Sequence, residues 1–258
     1  MNRAWQRVVA DDSLDAWVTT SRRDLTTSTL LVANGRALVV DPAWDPDELA
    51  GIAADVRVLE VAVAAGFATH AHHDHVLWHP DLGRAPRFAS ARASRLCARD
   101  RDRLVDGLGP GWPAQLAELV GRVQAVDGDE LDRPGPAVRL LTHDAHSPGH
   151  TALWVPSAHA LIAGDMLSDI ELPLLEESSP ADYAAGLELL RPFALQASVL
   201  IPGHGHVAVG TEAADRWRAD HDYLTALVSG ADPADARRRN PGMAQAHADN
   251  LRRVRDAR

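Results

Sequence analysis

Residues 70–75 of this 258-residue chain read His-Ala-His-His-Asp-His and follow an apolar run. Imidazole nitrogen and carboxylate oxygen are ligands that Zn²⁺ and related transition metals prefer. On an extended segment, His70 and His72 project to the same side and can hold one ion together. A chain of this composition would contain the pattern H-x-H-x-D-H by chance in roughly 0.3% of cases. The segment therefore predicts a metal site that also includes Asp74 and His75.

Three other polar side chains follow strand-like apolar runs, at points where glycine or proline allows a tight turn. They are His150 after the run at 137–141, Asp165 after 160–164, and His204 after 198–203. Loops at strand ends are where rigid scaffolds usually present functional groups. Each of these residues also has an ordinary structural interpretation: the histidines as turn residues, and the aspartate as a helix N-cap.

Taken together, these motifs resemble the metallo-β-lactamase superfamily. The motifs that carry the resemblance are H-x-H-x-D-H, Ser-Pro-Gly-His-Thr at 147–151, Gly-Asp at 164–165 and Pro-Gly-His-Gly at 202–205. The resemblance covers roughly residues 14–207. It implies an α/β fold of the αββα type, a sandwich of two mixed β-sheets flanked by helices, with metals bound at one edge.

The resemblance also implies a complete set of ligands for two metal ions. His70, His72 and His150 would hold the first ion, and Asp74, His75 and His204 the second, with Asp165 bridging both. Two Zn²⁺ ions are the expected cofactors, with iron or manganese as alternatives. Asp41, which follows another strand-like run, resembles an acidic residue that lies close to the metals in this family.

A hydroxide shared by two zinc ions exists at neutral pH because a metal lowers the pKa of its bound water toward 7. The expected function is hydrolysis of a small ester, thioester or lactone by this hydroxide, as in glyoxalase II. Asp74 and Asp165 are the predicted catalytic residues, with Asp74 also orienting the hydroxide. β-Lactam cleavage is disfavoured, because the true β-lactamases of the superfamily lack the bridging aspartate.

The sequence is also compatible with three alternatives. One is a mononuclear iron dioxygenase acting on a thiol or persulfide, since imidazole and carboxylate also bind iron. Another is a β-lactamase or nuclease of the same superfamily, and the third is a binding module without catalysis. Metal analysis separates the first from a hydrolase, because two zinc ions per chain favour hydrolysis and one iron favours the dioxygenase.

Composition limits the partners of the chain. The formal net charge is −10, and the 26 basic residues are all arginine, so a nucleic-acid partner is not expected. No stretch approaches the roughly 18 apolar residues of a membrane span, and the N-terminus has no apolar leader, so we expect a cytoplasmic protein. A small carbonyl compound is the expected substrate, and the sequence does not predict the oligomeric state. The single cysteine, Cys97, excludes an intramolecular disulfide and is expected to be a buried thiol.

The chain is predicted to form a hydrolase domain over residues 1–230 and a C-terminal helical extension over 231–258, packed on or trailing that domain. Asn34-Gly35 between apolar runs predicts a β-hairpin. Asp45-Pro46 predicts a helix start, followed by a strand over residues 56–65. Ser179-Pro180 predicts the start of a helix that runs through Leu190. The irregular segment 166–180 is expected to form a lid or pocket wall.

Overall fold

The computed structural model of the protein describes residues 5–11, 13–131 and 135–256. The predicted hydrolase domain begins, and the predicted C-terminal extension ends, outside the described residues, at 1–4 and 257–258 respectively. No helix in the described part is both long and apolar enough to cross a membrane.

Within these residues the strands form two mixed sheets. The first sheet follows chain order and consists of β1 (Gln6–Ala10), β2 (Asp15–Thr20), β3 (Thr27–Ala33), β4 (Arg36–Val40), β5 (Ala62–Phe67), β6 (Arg87–Ser90) and β7 (Gln124–Val126). The second consists of β8 (Arg139–His143), β9 (His150–Val155), β10 (Ala160–Gly164), β11 (Val199–Pro202) and β12 (Ala208–Val209), in the order β12-β11-β10-β9-β8. Strands β4 to β7 are parallel to one another, as are β10 and β11, and the remaining pairs are antiparallel.

Helices cover the outer faces of both sheets. They are α1 (Pro46–Val58), α2 (Ala91–Arg99), α3 (Arg101–Gly107), α4 (Ala114–Ala117), α5 (Pro180–Ala194), α6 (Glu212–Ser229) and α7 (Met243–Asp256). Ile52 of α1 belongs to a buried cluster on the first sheet, and Leu187 of α5 to one on the second. A third cluster joins the inner faces of the sheets and includes Phe67 and Ile201. The layers are helix, sheet, sheet, helix, so the predicted αββα sandwich is confirmed.

The structure confirms the predicted β3–β4 hairpin and the predicted start of α5, and it differs from the strand predicted at residues 56–65. Asn34 and Gly35 both have positive φ, at 52° and 70°, as the tight turn of the β3–β4 hairpin requires. The Ser179 hydroxyl accepts a hydrogen bond from the Asp182 N–H and caps α5, which begins as predicted and continues to Ala194. The strand predicted at 56–65 is wrong in its first half. Residues 56–58 continue α1, where Val56 is buried against the sheet, and β5 begins only at residue 62.

The carboxyl ends of β4, β5, β10 and β11 meet at one edge of the sandwich. The Thr151 N–H donates to the Thr69 carbonyl (2.8 Å), and the Thr27 N–H donates to the Gly203 carbonyl (2.7 Å). Each of these hydrogen bonds joins a segment of the first sheet to a segment of the second. The loops that follow the four strands are therefore fixed relative to one another.

The C-terminal segment holds the loop that follows β10. Arg237 donates to the carbonyls of Ser168 (3.0 Å) and Glu171 (2.9 Å). Further along, the Asn250 side chain accepts from the Leu175 N–H and donates to a neighbouring carbonyl of the same loop. Buried backbone groups of an irregular loop need such partners. We propose that residues 231–258 belong to the same domain as residues 1–230.

Arg237 is buried against two carboxylates, at 2.5 Å from Asp220 and 2.7 Å from Asp235. Arg237→Met should lower the free energy of unfolding by about 3–5 kcal/mol, because Asp220 would remain buried without its counter-charge. Arg238→Met is a matched control, because its pair with Asp232 is exposed, and it should cost less than about 1 kcal/mol. Urea unfolding measures both values, and equal losses would contradict this structural role.

Cys97 is fully buried, and burial raises the pKa of its thiol to about 12. Because the thiolate is the reactive form, the native protein should not react with Ellman's reagent at pH 8. One thiol per chain should react after unfolding in guanidinium chloride. Immediate reaction of a full equivalent in the native protein would show that Cys97 is accessible.

Candidate metal centre

Seven side chains with metal-binding atoms converge at the edge where the four strands end. His70, His72, Asp74 and His75 lie in the loop after β5, His146 in the loop between β8 and β9, Asp165 directly after β10, and His204 after β11. All except His72 are buried. Loops that begin at different strands thus bring their polar groups into one small volume.

The side chains form two adjoining groups. The first group comprises His70, His72, His146 and Asp165, and the second comprises Asp74, His75 and His204, each with its potential ligand atoms within 4.8 Å of one another. Asp165 also contacts the second group, through Oδ1 at 3.2 Å from His75 Nε2 and Oδ2 at 3.3 Å from His204 Nε2. A single carboxylate therefore touches both groups.

The separations between these atoms are those of ligands around small tetrahedral ions. In the second group, His75 Nε2, His204 Nε2 and Asp74 Oδ2 are 3.3 Å apart in every pairing. For metal–ligand distances of about 2.0–2.1 Å, the edge of a tetrahedron is about 3.3–3.4 Å.

The first group has the same spacing. His146 Nε2 lies 3.2 Å from His72 Nδ1 and 3.3 Å from Asp165 Oδ2, which is also 3.3 Å from His70 Nε2. Within the described residues, His70 Nε2 and Asp165 Oδ1 are buried and have no hydrogen-bond partner. Buried polar atoms without partners are costly, and a metal ion would satisfy both. The residues present therefore fit a pair of metal ions.

Asp41 orients two of the imidazoles from behind. His75 Nδ1 lies 2.9 Å from Asp41 Oδ2, and donation of its proton leaves Nε2 as a lone pair facing the second group. The Thr69 hydroxyl donates to the same oxygen (2.6 Å) and lies 3.0 Å from His70 Nδ1, from which it can accept. Hydrogen bonds of this kind fix which nitrogen of a metal-binding histidine faces the ion. The prediction that Asp41 lies near the metal centre is confirmed.

Two other histidines are oriented by different partners. His204 Nδ1 lies 2.9 Å from the Asp24 carbonyl oxygen, to which it can donate. His72 Nε2 lies 3.3 Å from Glu177 Oε2, so a proton on Nε2 leaves Nδ1 free for the first group. Each imidazole thus turns a lone pair toward the centre. Lone pairs at 3.3 Å repel one another unless a cation lies between them.

The pKa values of the buried histidines also indicate that the centre attracts positive charge. Burial lowers the pKa of His70 and His146, which keeps these imidazoles neutral and able to bind a metal. For His75 and His204, burial is outweighed by Asp165 and Asp74, so their pKa values lie well above the ordinary value. The carboxylates therefore attract a cation to the second group, either as protons or as a metal ion.

His150 was predicted to be a ligand of the first ion, but its side chain is not part of the first group. It begins strand β9, and its Nε2 accepts a hydrogen bond from the Asp165 N–H at 3.1 Å. That bond occupies the nitrogen that would face the first group. His146, four residues earlier and at φ 63°, takes the position instead. We therefore propose that His146, and not His150, is a ligand of the first group, and that His150 supports the backbone of Asp165.

Asp165 is held at close quarters by two glycines. A methyl group at Gly203 would overlap Asp165 Oδ1, and one at Gly164 would overlap the His150 ring. Gly164 also has φ 56°, a conformation that favours glycine. Close packing thus explains both motifs: Gly203 packs against the Asp165 carboxylate, and Gly164 packs against the His150 ring.

A pocket of about 330 Å³ opens beside the two groups. Besides five of the clustered side chains it is lined by Asp24, Trp44, His73, Arg103, Glu171, Leu174, Glu176 and Glu177. Four of these residues belong to the loop after β10, which forms a pocket wall. Sequence reasoning predicted that loop's role but did not identify Asp24, Trp44 or Arg103. These residues belong to no recognisable sequence motif, and they reach the site only because the chain folds as it does.

The sequence also matches a known family. The family profile described as metallo-beta-lactamase superfamily matches residues 22–204. The chain therefore belongs to the metallo-beta-lactamase superfamily.

Several relatives in this family are named hydroxyacylglutathione hydrolase. The one from Acidiphilium cryptum (strain JF-5) is 29% identical, and the match covers 88% of this chain and 90% of that protein. Those from Methylococcus capsulatus and Synechococcus sp. (strain ATCC 27144) are 30% and 32% identical over 64% and 62% of this chain. These two matches span 56% of each relative, a little over half its length.

Solved structures show the same fold at lower identity. The metallo-beta-lactamase from Pontibacter korlensis has a TM-score of 0.59 and 14% identity, covering 83% of this chain and 97% of that chain. The DIM-1 metallo-beta-lactamase has a TM-score of 0.58 and 16% identity, covering 83% and 95%. At such identities the likeness shows a shared architecture and not a shared substrate.

Two single variants test whether His146 or His150 is the metal ligand. Each replaces one of these histidines with glutamine. His146→Gln should reduce the metal bound per chain relative to the parent protein, because the first group loses a ligand. His150→Gln should retain the metal, since a glutamine oxygen can accept the Asp165 N–H at the place of Nε2. Elemental analysis after dialysis measures both. Loss of metal in His150→Gln alone would restore the original assignment.

Proposed function

We propose that the protein is a zinc-dependent hydrolase with a binuclear centre that cleaves a small thioester, ester or lactone. The observation that carries the proposal is the pair of adjoining ligand groups with tetrahedral spacing that share Asp165. Two-metal hydrolytic centres place their ions about 3.5–4 Å apart, and a shared carboxylate supports such a spacing. The names of the relatives favour a thioester among these substrates.

When bound, divalent cations at this centre supply an activated water at neutral pH and polarise the acyl carbonyl. The protein's own contribution is to hold the ligands and to position that water. Asp74 both belongs to the second group and lines the pocket, so its carboxylate can accept a proton from an attacking water. Thr26 donates to Asp74 Oδ2 (3.2 Å) and keeps this carboxylate in place.

The charge of the site argues against the nuclease alternative. Polyanionic substrates need basic surfaces, whereas the pocket is lined mainly by carboxylates and imidazoles. A pocket of about 330 Å³ lies at the lower end of the usual range for small-molecule sites. We therefore propose a small acyl compound as the substrate. The cytoplasmic location expected from the sequence stays a proposal.

The proposal is tested by comparing metal-free and zinc-loaded protein on a panel of esters, thioesters and lactones. Zinc should restore turnover of at least one class. Absence of metal-dependent turnover across the panel would refute a hydrolase. One iron per chain together with oxygen uptake would instead support the dioxygenase alternative.

The role of Asp74 has its own test. Asp74→Asn should lower kcat by at least about 100-fold at saturating zinc, because an amide cannot accept the proton from water. Asp81→Asn is a matched control on the surface, where Asp81 pairs with Arg57, and should leave kcat unchanged. Circular dichroism confirms that both variants fold. Near-normal turnover of Asp74→Asn at full metal loading would contradict this role.

A further inference from the structure

His72 differs from the other six clustered side chains in its exposure to solvent. Its side chain is 26% exposed and lines the pocket, whereas the other six are buried. Neighbouring side chains do not enclose its ring on every side, so packing alone does not fix the orientation of that ring. A hydrogen bond to the nitrogen that does not face the metal can fix it instead. The partner of that nitrogen therefore affects how firmly the first group holds an ion.

Glu177 is this partner. His72 Nδ1 belongs to the first group, at 3.2 Å from His146 Nε2, and His72 Nε2 lies 3.3 Å from Glu177 Oε2. With its proton on Nε2, the imidazole donates to the carboxylate, and Nδ1 keeps its lone pair for a metal ion. The hydrogen bond with His72 is also the main cause that lowers the pKa of Glu177 to about 2, so this side chain is ionised at neutral pH.

Glu177 reaches His72 from a distant part of the chain, 105 positions later in the sequence. It lies in the loop after β10, where the next residue, Ser178, donates its hydroxyl to the Asp144 carbonyl at 2.9 Å. Asp144 lies in the loop between β8 and β9, two residues before His146. The two neighbouring residues 177 and 178 thus contact both loops that supply histidines to the first group.

The chain is held on both sides of these two residues. On the C-terminal side, Ser179 caps α5, which is anchored on the second sheet by buried side chains such as Leu187. On the N-terminal side, the Leu175 N–H donates to Asn250 Oδ1 at 3.1 Å, and Asn250 Nδ2 donates to the Pro173 carbonyl at 2.6 Å. A carboxylate on a backbone fixed in this way loses little further freedom when it binds an imidazole.

The ion pair of Glu177 with Arg103 is an alternative reason for the position of this carboxylate. Arg103 donates to Glu177 Oε1 at 2.8 Å, but the Arg103 side chain is 73% exposed. Ion pairs with such an exposed partner contribute little, because water screens the charges and two long side chains must be ordered. The two contacts use different oxygens of the carboxylate, so variants can separate them.

We propose that Glu177 is a positioning residue for the first metal ion, because it holds the His72 ring with Nδ1 toward that ion. The inference rests on the metal centre of the proposed function and concerns one of its two sites. The ligands of the second group, Asp74, His75 and His204, have other hydrogen-bond partners and should not depend on Glu177. Because coupling between two sites is reciprocal, the first ion also stabilises the loop that carries Glu177.

Zinc titration in competition with a chromophoric chelator measures the two dissociation constants of the protein. Glu177→Ala should weaken binding at one site at least about tenfold and change the other less than about twofold. His72→Ala identifies the constant that belongs to the first group, because it removes a ligand from that group alone. Unchanged constants in Glu177→Ala, or equal weakening of both, overturn the proposal.

Two further variants separate the contact with His72 from the ion pair. Glu177→Gln keeps an oxygen that accepts from His72 Nε2, so it should weaken the first site less than Glu177→Ala does, by about threefold. Arg103→Met removes the ion pair and keeps the contact with His72, so it should change the first site less than about threefold. A loss in Arg103→Met as large as that in Glu177→Ala overturns the proposal.

A matched control lies on α5, where the exposed Glu188 pairs with Arg191 at 3.7 Å. Glu188→Ala removes a glutamate and an exposed ion pair far from any contact with the clustered histidines, and it should leave both zinc constants unchanged. Weakening of the first site in this control would show that the loss in Glu177→Ala is not specific and would overturn the proposal.

Amide hydrogen exchange tests the reciprocal effect on the loop. Two equivalents of zinc should slow exchange in residues 171–178 of the parent protein, and the slowing should be smaller in Glu177→Ala. Equal slowing in both proteins overturns the coupling that the proposal requires.

The zinc constants also distinguish failure of this inference from failure of the proposed function. Binding of two zinc ions with constants that do not depend on Glu177 overturns the inference and leaves the hydrolase intact. Selective loss at the first site, together with no turnover of any acyl substrate, supports the inference and refutes the hydrolase.

Discussion

The site is organised by the close approach of buried lone pairs. His75 Nε2 and His204 Nε2 lie 3.3 Å apart and each faces carboxylate oxygens, while their Nδ1 atoms have hydrogen-bond partners behind them. Such an arrangement is unfavourable without a cation between the nitrogens. Much of the surrounding structure serves to hold this arrangement. The glycines beside Asp165 and the hydrogen bonds of Asp41 all act on these few atoms.

The two sheets make this convergence possible. Each sheet contributes parallel strands whose carboxyl ends lie at the same edge, so short loops from distant parts of the sequence meet there. Backbone hydrogen bonds between the sheets, such as that from Thr151 to Thr69, fix the distance between the loops. The C-terminal segment acts on the same edge from outside. Through Arg237 and Asn250 it fixes the loop that forms one wall of the pocket.

Much of this could be predicted from the sequence, because the ligands follow strands and belong to compact motifs. The segment from His70 to His75, Asp165 and His204 were each visible in this way, and so was the αββα class by resemblance. The choice between His146 and His150 was not. Both flank Ser-Pro-Gly, and only the start of β9 at His150 turns that side chain toward the Asp165 backbone. Asp24 and Trp44 reach the pocket through the fold alone, and no local pattern marks them.

The binuclear centre is tested most directly by the anomalous scattering of a crystal of the zinc-loaded protein. We expect two zinc ions, one bound by His70, His72 and His146 and the other by Asp74, His75 and His204, with Asp165 contacting both. A single ion, or a first ion bound through His150 with His146 turned away, would contradict it.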